Sequence, residues 1–341
     1  MVRITILGAG VTGMTIASQL PTDYAITIIG DILPGDVLTK EWASPWAGAC
    51  WVGVHWSNER EQKIQLESLA GLWRLAKEHP ESGLRVTTMT EILEYGSPED
   101  IWYRTKVPEF RLLDQDELPP KAVFGMSYST VCISPPVFLP WMRSRLEARR
   151  VKFQRAKVDA LQDLNYLGHD VLVNATGAQS RHLRDVAEKS MVPYLLQSIL
   201  IRSSYSECFI YRGNDGYYFN MFGRGDGTAY VGGIKDLGND DRSAYDEDRS
   251  LILSRGHELL PLILPSPNPS DYRIVYDIGN TYYFRPQQSG GSRVETEVKD
   301  NQTIIHAYGQ EAGGYCYSFG VGREVAGLVA DHIYELPRSR L

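Results

Sequence analysis

The sequence predicts an α/β fold, and three observations predict it. An apolar run at residues 4–7 ends in a glycine-rich turn, followed by a helical stretch and a second apolar run. Strand patterns dominate residues 195–234. Near the C-terminus a further strand, at 303–307, enters a second glycine-rich bend and a second helix. Alternation of buried strands with helices argues for a parallel sheet of Rossmann-like type, and 341 residues are enough for two domains on a prior of about 150 each.

The first strand is followed by Gly8-Ala9-Gly10-Val11-Thr12-Gly13, at G-x-G-x-x-G spacing, and residues 14–20 continue as a helix. The three glycines serve a tight turn, close backbone approach to a pyrophosphate, and helix–strand contact, in that order. The helix N-terminus offers unpaired N–H donors and the positive end of its dipole. Residues 25–30 read as the next strand, and Asp31 ends it eighteen residues after Gly13. That is where a carboxylate accepts hydrogen bonds from the adenosine ribose, and an acid there argues against a ribose 2′-phosphate. A dinucleotide is expected, FAD or NAD.

Ser44-Pro45-Trp46-Ala47-Gly48-Ala49 lies in a loop of small residues between tryptophans, where backbone can approach a planar ligand. Residues 59–78 carry an apolar stripe at helical spacing, and 84–95 read as strand. A helix over 137–149 leads to a strand at 151–154. Val173-Asn174-Ala175-Thr176-Gly177 ends another buried strand in a small-residue turn that can meet the dinucleotide a second time. The Gly223–Gly227 stretch is a hairpin tip, 245–260 a helix, and 273–275 and 281–285 strands. The bend from His306 to Cys316 then feeds a helix from Ser318. Two helix N-termini converging on one site suit a flavin dinucleotide, one for the pyrophosphate and one for negative charge on the reduced ring.

Composition narrows the function classes. A net charge of −7 with no basic run gives no support to nucleic-acid binding. Cys50, Cys132, Cys208 and Cys316 are scattered without a C-x-x-C pair, so neither a metal site nor a disulfide framework is expected, and a reducing compartment fits. No signal peptide or membrane-spanning run is expected. The sequon at Asn301 carries no meaning in a protein that is not secreted. Ser339-Arg340-Leu341 is a close variant of the S-K-L peroxisomal address, so a peroxisomal location is expected, otherwise a cytoplasmic one.

Taken together, these segments resemble the FAD-dependent D-amino-acid oxidase and D-aspartate oxidase family. Besides the stretches already quoted, the resemblance rests on Gly232-Gly233-Ile234-Lys235, Leu237-Gly238-Asn239, Tyr283-Phe284-Arg285-Pro286 and His306-Ala307-Tyr308-Gly309. The pieces fall in family order over nearly the whole chain. The resemblance implies a Rossmann-like FAD-binding domain from residues 1–55, 131–190 and 300–341. It also implies a substrate-binding domain from 56–130 and 191–299, built on a large, mainly antiparallel sheet. The implied reaction oxidises a D-amino acid by hydride transfer from Cα to flavin N5. Oxygen reoxidises the flavin to give hydrogen peroxide, and the imino acid hydrolyses to a 2-oxo acid and ammonia. The implied partners are a D-amino acid, molecular oxygen and the peroxisomal import receptor; a homodimer is allowed.

Residue by residue, the resemblance matches Arg285 to the arginine that pairs with the substrate α-carboxylate, a role suited to a planar guanidinium. Tyr218 or its neighbour Tyr217 matches a tyrosine that binds the same group. Ala312, Gly313, Gly314, Tyr315 and Cys316 match flavin-ring contacts, with Ala312 also meeting the substrate amine. Trp46, Ala47, Gly48 and Ala49 match the loop near flavin N5, and Val158 a valine at the adenine end. Lys235 departs from the aromatic residue of oxidases for neutral substrates and resembles the arginine of D-aspartate oxidases. His55 matches a second polar residue of that pocket. Acidic substrates, D-Asp or D-Glu, are therefore expected; neutral D-amino acids or a secondary amine are the alternative. An NAD-dependent dehydrogenase and a non-catalytic flavin-binding protein are the readings from other classes. Pro193-Tyr194-Leu195-Leu196-Gln197 lacks the family's Arg-Gly, and Gln287 and Gln288 stand where a second arginine is common.

Overall fold

A computed structural model describes residues 1–335 except 242, 244, 245, 311 and 312. The Ser339-Arg340-Leu341 tail therefore lies outside the described residues.

The chain opens with β1 (Arg3–Leu7), α1 (Val11–Gln19) and β2 (Ala25–Gly30). Ile4, Thr5, Ile6 and Leu7 are all buried, as a parallel strand covered on both faces requires. Helix α1 begins at Val11, three residues earlier than expected, because the glycine turn itself supplies its cap at Gly10. Helix α2 (Glu59–Glu78) opens on a capping box: Asn58 Oδ1 accepts from the Glu61 N–H at 3.0 Å, and the Glu61 carboxylate accepts from the Asn58 N–H at 3.4 Å. It stops at His79, just before Pro80.

Strands β3 (Leu84–Leu93), β4 (Arg111–Leu112) and β5 (Phe124–Ile133) follow. Helix α3 (Pro135–Ala148) starts with two prolines, where the missing N–H costs nothing. Then come β6 (Lys152–Arg155), β7 (Val171–Asn174), β8 (Val192–Arg202) and β9 (Cys208–Arg212). The hairpin of β10 (Tyr218–Gly223) and β11 (Thr228–Leu237) turns over residues 224–227, as expected. Helix α4 (Asp246–Leu259), β12 (Ile274–Phe284), β13 (Arg293–Lys299), β14 (Gln302–Tyr308) and α5 (Ser318–Glu335) complete the chain.

Two sheets result. The first has the order β13-β14-β7-β1-β2-β6 and is parallel except for β13. The second has the order β12-β8-β11-β10-β9-β3-β5-β4 and is antiparallel except where β3 meets β9. One continuous core joins them, with Ile6 and Val173 from the first sheet and Tyr128 and Phe222 from the second in the same cluster.

Two further differences from the sequence reading bear on the layout of the sheets. Strand β12 is continuous where two short strands are predicted, because β8 pairs with it through the weak Gly279-Asn280 step (Gly279 with Gln197, Asn280 with Leu196). Strand β13 is not predicted at all. Its Arg293-Val294-Glu295-Thr296-Glu297-Val298-Lys299 pattern suits a charged edge strand, which resists pairing with other chains. It places residues 293–299 in the first sheet, ahead of the expected boundary at 300.

Candidate active site

The C-terminal ends of β1, β2 and β7 meet where the strand order reverses, the usual place for a ligand in an open parallel sheet. Gly8 has φ +117°, and a Cβ there would stand 2.3 Å from the Ala175 carbonyl oxygen. A Cβ on Gly13 would stand 1.9 Å from the Gly8 oxygen, so α1 starts directly above β1. Both glycines are required by contact. Ala9 is buried against Gly30. Beyond the turn, Asn174 Oδ1 accepts from the Thr176 N–H at 3.2 Å and its hydroxyl at 2.8 Å, which shapes the Ala175-Thr176-Gly177 corner.

The α1 N-terminus fits a diphosphate. Gly10 caps it without a side chain, and the Val11 N–H donates to Ser44 Oγ at 3.1 Å. The Trp42 indole N–H is buried without a partner, 3.6 Å from where a Gly10 Cβ would lie. An orphan indole donor beside the first-turn amides of α1 suits an anionic group. Sequence reasoning passed over Trp42, whose only signal was its place two residues before Ser44. Asp31 follows the last residue of β2 and is exposed at the strand end. Val158 does not border the cavity described next; it packs against the core cluster that contains Leu7, Ile29 and Leu161.

The second glycine-rich bend closes on the first. A Cβ on Gly314 would lie 3.9 Å from Val11 Cγ1, and the Tyr315 hydroxyl donates to the Ser44 carbonyl at 3.0 Å. Cys316 Sγ lies 3.4 Å from the Cys50 carbonyl oxygen, and a Cβ on Gly313 would strike the Tyr317 ring at 2.7 Å. The small-residue loop is thus wedged between the two bends. Ala312 lies outside the described residues. The three segments bound a cavity of about 270 Å³, with Thr12, Ser44, Trp46, Ala47, Gly48 and Ala49 in its wall. Arg224 holds this loop from behind, donating to the Ala47 carbonyl at 2.7 Å.

The opposite wall is the second sheet. Alternation along β10 turns Tyr218, Asn220 and Phe222 into the cavity. Tyr217 consequently points away: its hydroxyl meets Glu258 at 3.2 Å, and the Arg255 guanidinium sits 4.7 Å from its ring. Of the two candidate tyrosines, the cavity takes Tyr218 alone. Lys235 also borders the cavity, with Nζ 3.3 Å from the centroid of the Tyr218 ring. The Asn220 amide donates to the Tyr218 hydroxyl at 3.3 Å, while Asn220 Oδ1 and Asn280 Oδ1 are buried without partners. Burial pushes the Tyr218 phenol well above its ordinary value, so it acts as a neutral group.

Arg285 does not line this cavity, contrary to expectation. From β12 the cavity takes Ile278, Asn280, Tyr282 and, at the strand's end, Tyr283, and Arg285 lies just past that end. Its guanidinium pairs with Glu188 at 3.3 Å and donates to the carbonyls of Ser289 at 2.7 Å and Gly291 at 3.2 Å. It borders a smaller cavity of about 60 Å³ that shares Gly309 and Gln310 with the main one.

His55 likewise stands outside the cavity wall. Its Nε2 is 3.1 Å from the Tyr103 hydroxyl and 3.9 Å from Glu91. Burial, aided by the Arg212 charge, lowers its pKa to about 4, so it is neutral near pH 7 and offers no cation to a carboxylate. Glu91, absent from the sequence reading, is completely buried. It accepts from Tyr103 at 2.6 Å and Tyr128 at 2.7 Å and pairs with Arg212 at 3.2 Å, whose guanidinium lies 5.9 Å from the Tyr218 ring. A glutamate inside a strand, directly before the apolar Ile92-Leu93 pair, was its signal. The four cysteines are buried free thiols, and Cys50 faces Cys132 across an isolated bridge.

The model of the FAD dependent oxidoreductase family matches residues 3–328. A D-aspartate oxidase of Talaromyces thermophilus is 28% identical, covering 96% of this chain and 95% of the relative. A D-amino-acid oxidase of Fusarium vanettenii is 29% identical over 99% of both. The fold is similar to that of a glycine oxidase from Geobacillus kaustophilus, with a TM-score of 0.74 at 16% identity over 97% of this chain and 95% of the other.

Proposed function

The chain belongs to the FAD dependent oxidoreductase family, and from that premise we propose that it oxidises D-amino acids, with a preference for D-Asp and D-Glu. When bound, FAD supplies the two-electron oxidant at the substrate Cα, with molecular oxygen as final acceptor and hydrogen peroxide as product. The α1 N-terminus, Ser44 and Trp42 would hold its diphosphate, and the loops around Gly48 and Gly314 would receive the ring. The imino acid leaves and hydrolyses to a 2-oxo acid and ammonia.

The wall opposite does the orienting. Among the described residues that line the cavity there is no Asp, Glu or His, so none of them offers a carboxylate or imidazole base to the amine. The amine reaches the site deprotonated, and the rate comes from alignment in a largely apolar pocket. Lys235 is the only basic side chain among the described lining residues, and that observation carries the acidic preference. Its ammonium, set against Tyr218, attracts a carboxylate as a point charge.

A second reading rests on Arg285. With that guanidinium held by Glu188, Lys235 is also positioned for the α-carboxylate, and the aromatic wall of Phe222, Tyr230 and Tyr282 then suits a neutral side chain. A peroxide-coupled panel of D-Asp, D-Glu, D-Ala, D-Pro, D-Phe and glycine, with L-isomers as controls, separates the two. Highest kcat/KM on D-Asp or D-Glu supports the first; highest on D-Phe or D-Ala overturns it. The Ser339-Arg340-Leu341 end supports import into peroxisomes by the receptor that reads such tails. A fluorescent fusion with the tail free that stays cytoplasmic would sink that assignment.

A further inference from the structure

A second cavity, of about 330 Å³, lies away from the active-site loops, between the C-terminal end of α1, the last turns of α2, α3 and the start of α5. Three arginines line it, Arg74, Arg145 and Arg149, against the single carboxylate of Glu78. That concentration of positive charge occurs in a chain of net charge −7. Neither Arg74 nor Arg145 forms an ion pair with any described residue. The nearby Glu81 is occupied elsewhere, meeting His79 Nδ1 and the Trp141 indole N–H at 3.2 Å each. Arg149 caps α1 by donating to the carbonyls of Ser18 and Leu20, both at 2.9 Å, yet its Nε is buried without a partner.

Structural duty explains Arg149 only in part and does not explain Arg74 or Arg145. The floor is apolar, with Leu75 and Phe319, and one side is the flat Trp141 ring, 5.8 Å from the Arg145 guanidinium. Three guanidiniums against one carboxylate leave two positive charges to balance, which matches a phosphate monoester dianion. The ring and the apolar floor suit a flat body carrying that phosphate. We propose that this cavity binds a small organic phosphate, the phosphate on Arg74, Arg145 and Arg149 Nε and the flat part against Trp141.

An aromatic series links it to the active site. Trp141 stacks on Phe138 at 6.1 Å, and Phe138 lies 6.3 Å from Tyr315, whose hydroxyl holds the Ser44 carbonyl. Occupancy therefore has an optical reporter in Trp141.

The test titrates the FAD-saturated protein calorimetrically with phenyl phosphate, and separately with inorganic phosphate and phenol. One saturable phenyl phosphate site is expected, with both part-probes weaker, and with affinity reduced at least about tenfold in Arg145→Gln and in Arg74→Gln. Both side chains are exposed, so these variants should keep the flavin spectrum of the parent. Quenching of tryptophan emission on binding should vanish in Trp141→Phe. No saturable binding at millimolar phenyl phosphate, or unchanged affinity in both arginine variants, overturns the site. Inorganic phosphate binding as tightly as phenyl phosphate overturns the role of the flat body.

Discussion

The cradle formed by the two glycine-rich bends and the wall formed by the second sheet face each other across one cavity, but they use different parts of the amino acid. The cradle works through backbone: Gly8 and Gly13 are fixed by contacts no side chain could share, and the donors are helix amides joined by Ser44 and Trp42. The wall works through side chains, Tyr218 and Lys235, set by strand alternation and supported by the buried Glu91–Arg212 pair. A fault in the cradle should therefore cost cofactor and fold together. A fault in the wall should change which substrate is used.

The sharpest way to break this contrast is Gly8→Ala. Its positive φ and the 2.3 Å approach to the Ala175 oxygen predict a loss of about 2–5 kcal/mol and of bound flavin. A variant with normal Tm and flavin content would show the cradle to be tolerant. Behind the wall, His55 gives a pH signature. Its folded pKa of about 4 lies below the ordinary 6.5, so the folded chain binds fewer protons between those values. Stability is then full above about 6.5 and falls as pH drops toward 4, by roughly 3 kcal/mol from this group. Denaturant melts of wild type and His55→Gln should differ in their dependence on pH over that window if the histidine is the source, the variant losing less on acidification.

Within the wall, Lys235→Ala should lower kcat/KM for D-Asp roughly a hundredfold while sparing D-Ala. Equal losses on both would assign Lys235 to the α-carboxylate and favour the neutral-substrate reading. Arg285→Ala should cost about 1–3 kcal/mol in stability, because Glu188 and two carbonyls lose their donor. Its kcat/KM should fall less than in Lys235→Ala; a larger fall for every substrate would mean that Arg285 leaves Glu188 to meet the ligand. The smallest effect is expected from Tyr217→Phe, within about 0.5 kcal/mol and kinetically silent, whereas Tyr218→Phe should alter KM.

The cradle was readable in advance for a physical reason. Gly8, Gly10 and Gly13 follow a strand and open a helix, so local order in the chain specifies their contacts, and the second bend repeats the device at Gly309 to Gly314. The charged strand β13 was not readable, since an edge strand lacks the apolar alternation that marks a buried one. Trp42 escaped notice because nothing in its neighbours says that its indole faces the α1 N-terminus.

By itself the sequence determined the nature of the cofactor-binding turn, the two-sheet α/β class and the residue types that could read a substrate. Only the tertiary structure decided which of them face the cavity. Tyr218 and Tyr217 are adjacent in sequence, and strand parity separates them. Lys235 and Arg285 are equal candidates as cations, but Glu188, from a distant segment, pairs with Arg285 outside the cavity wall, whereas β11 places Lys235 on that wall. Backbone contacts within a turn are local and travel with the sequence. The partner of a charged side chain is settled by long-range packing.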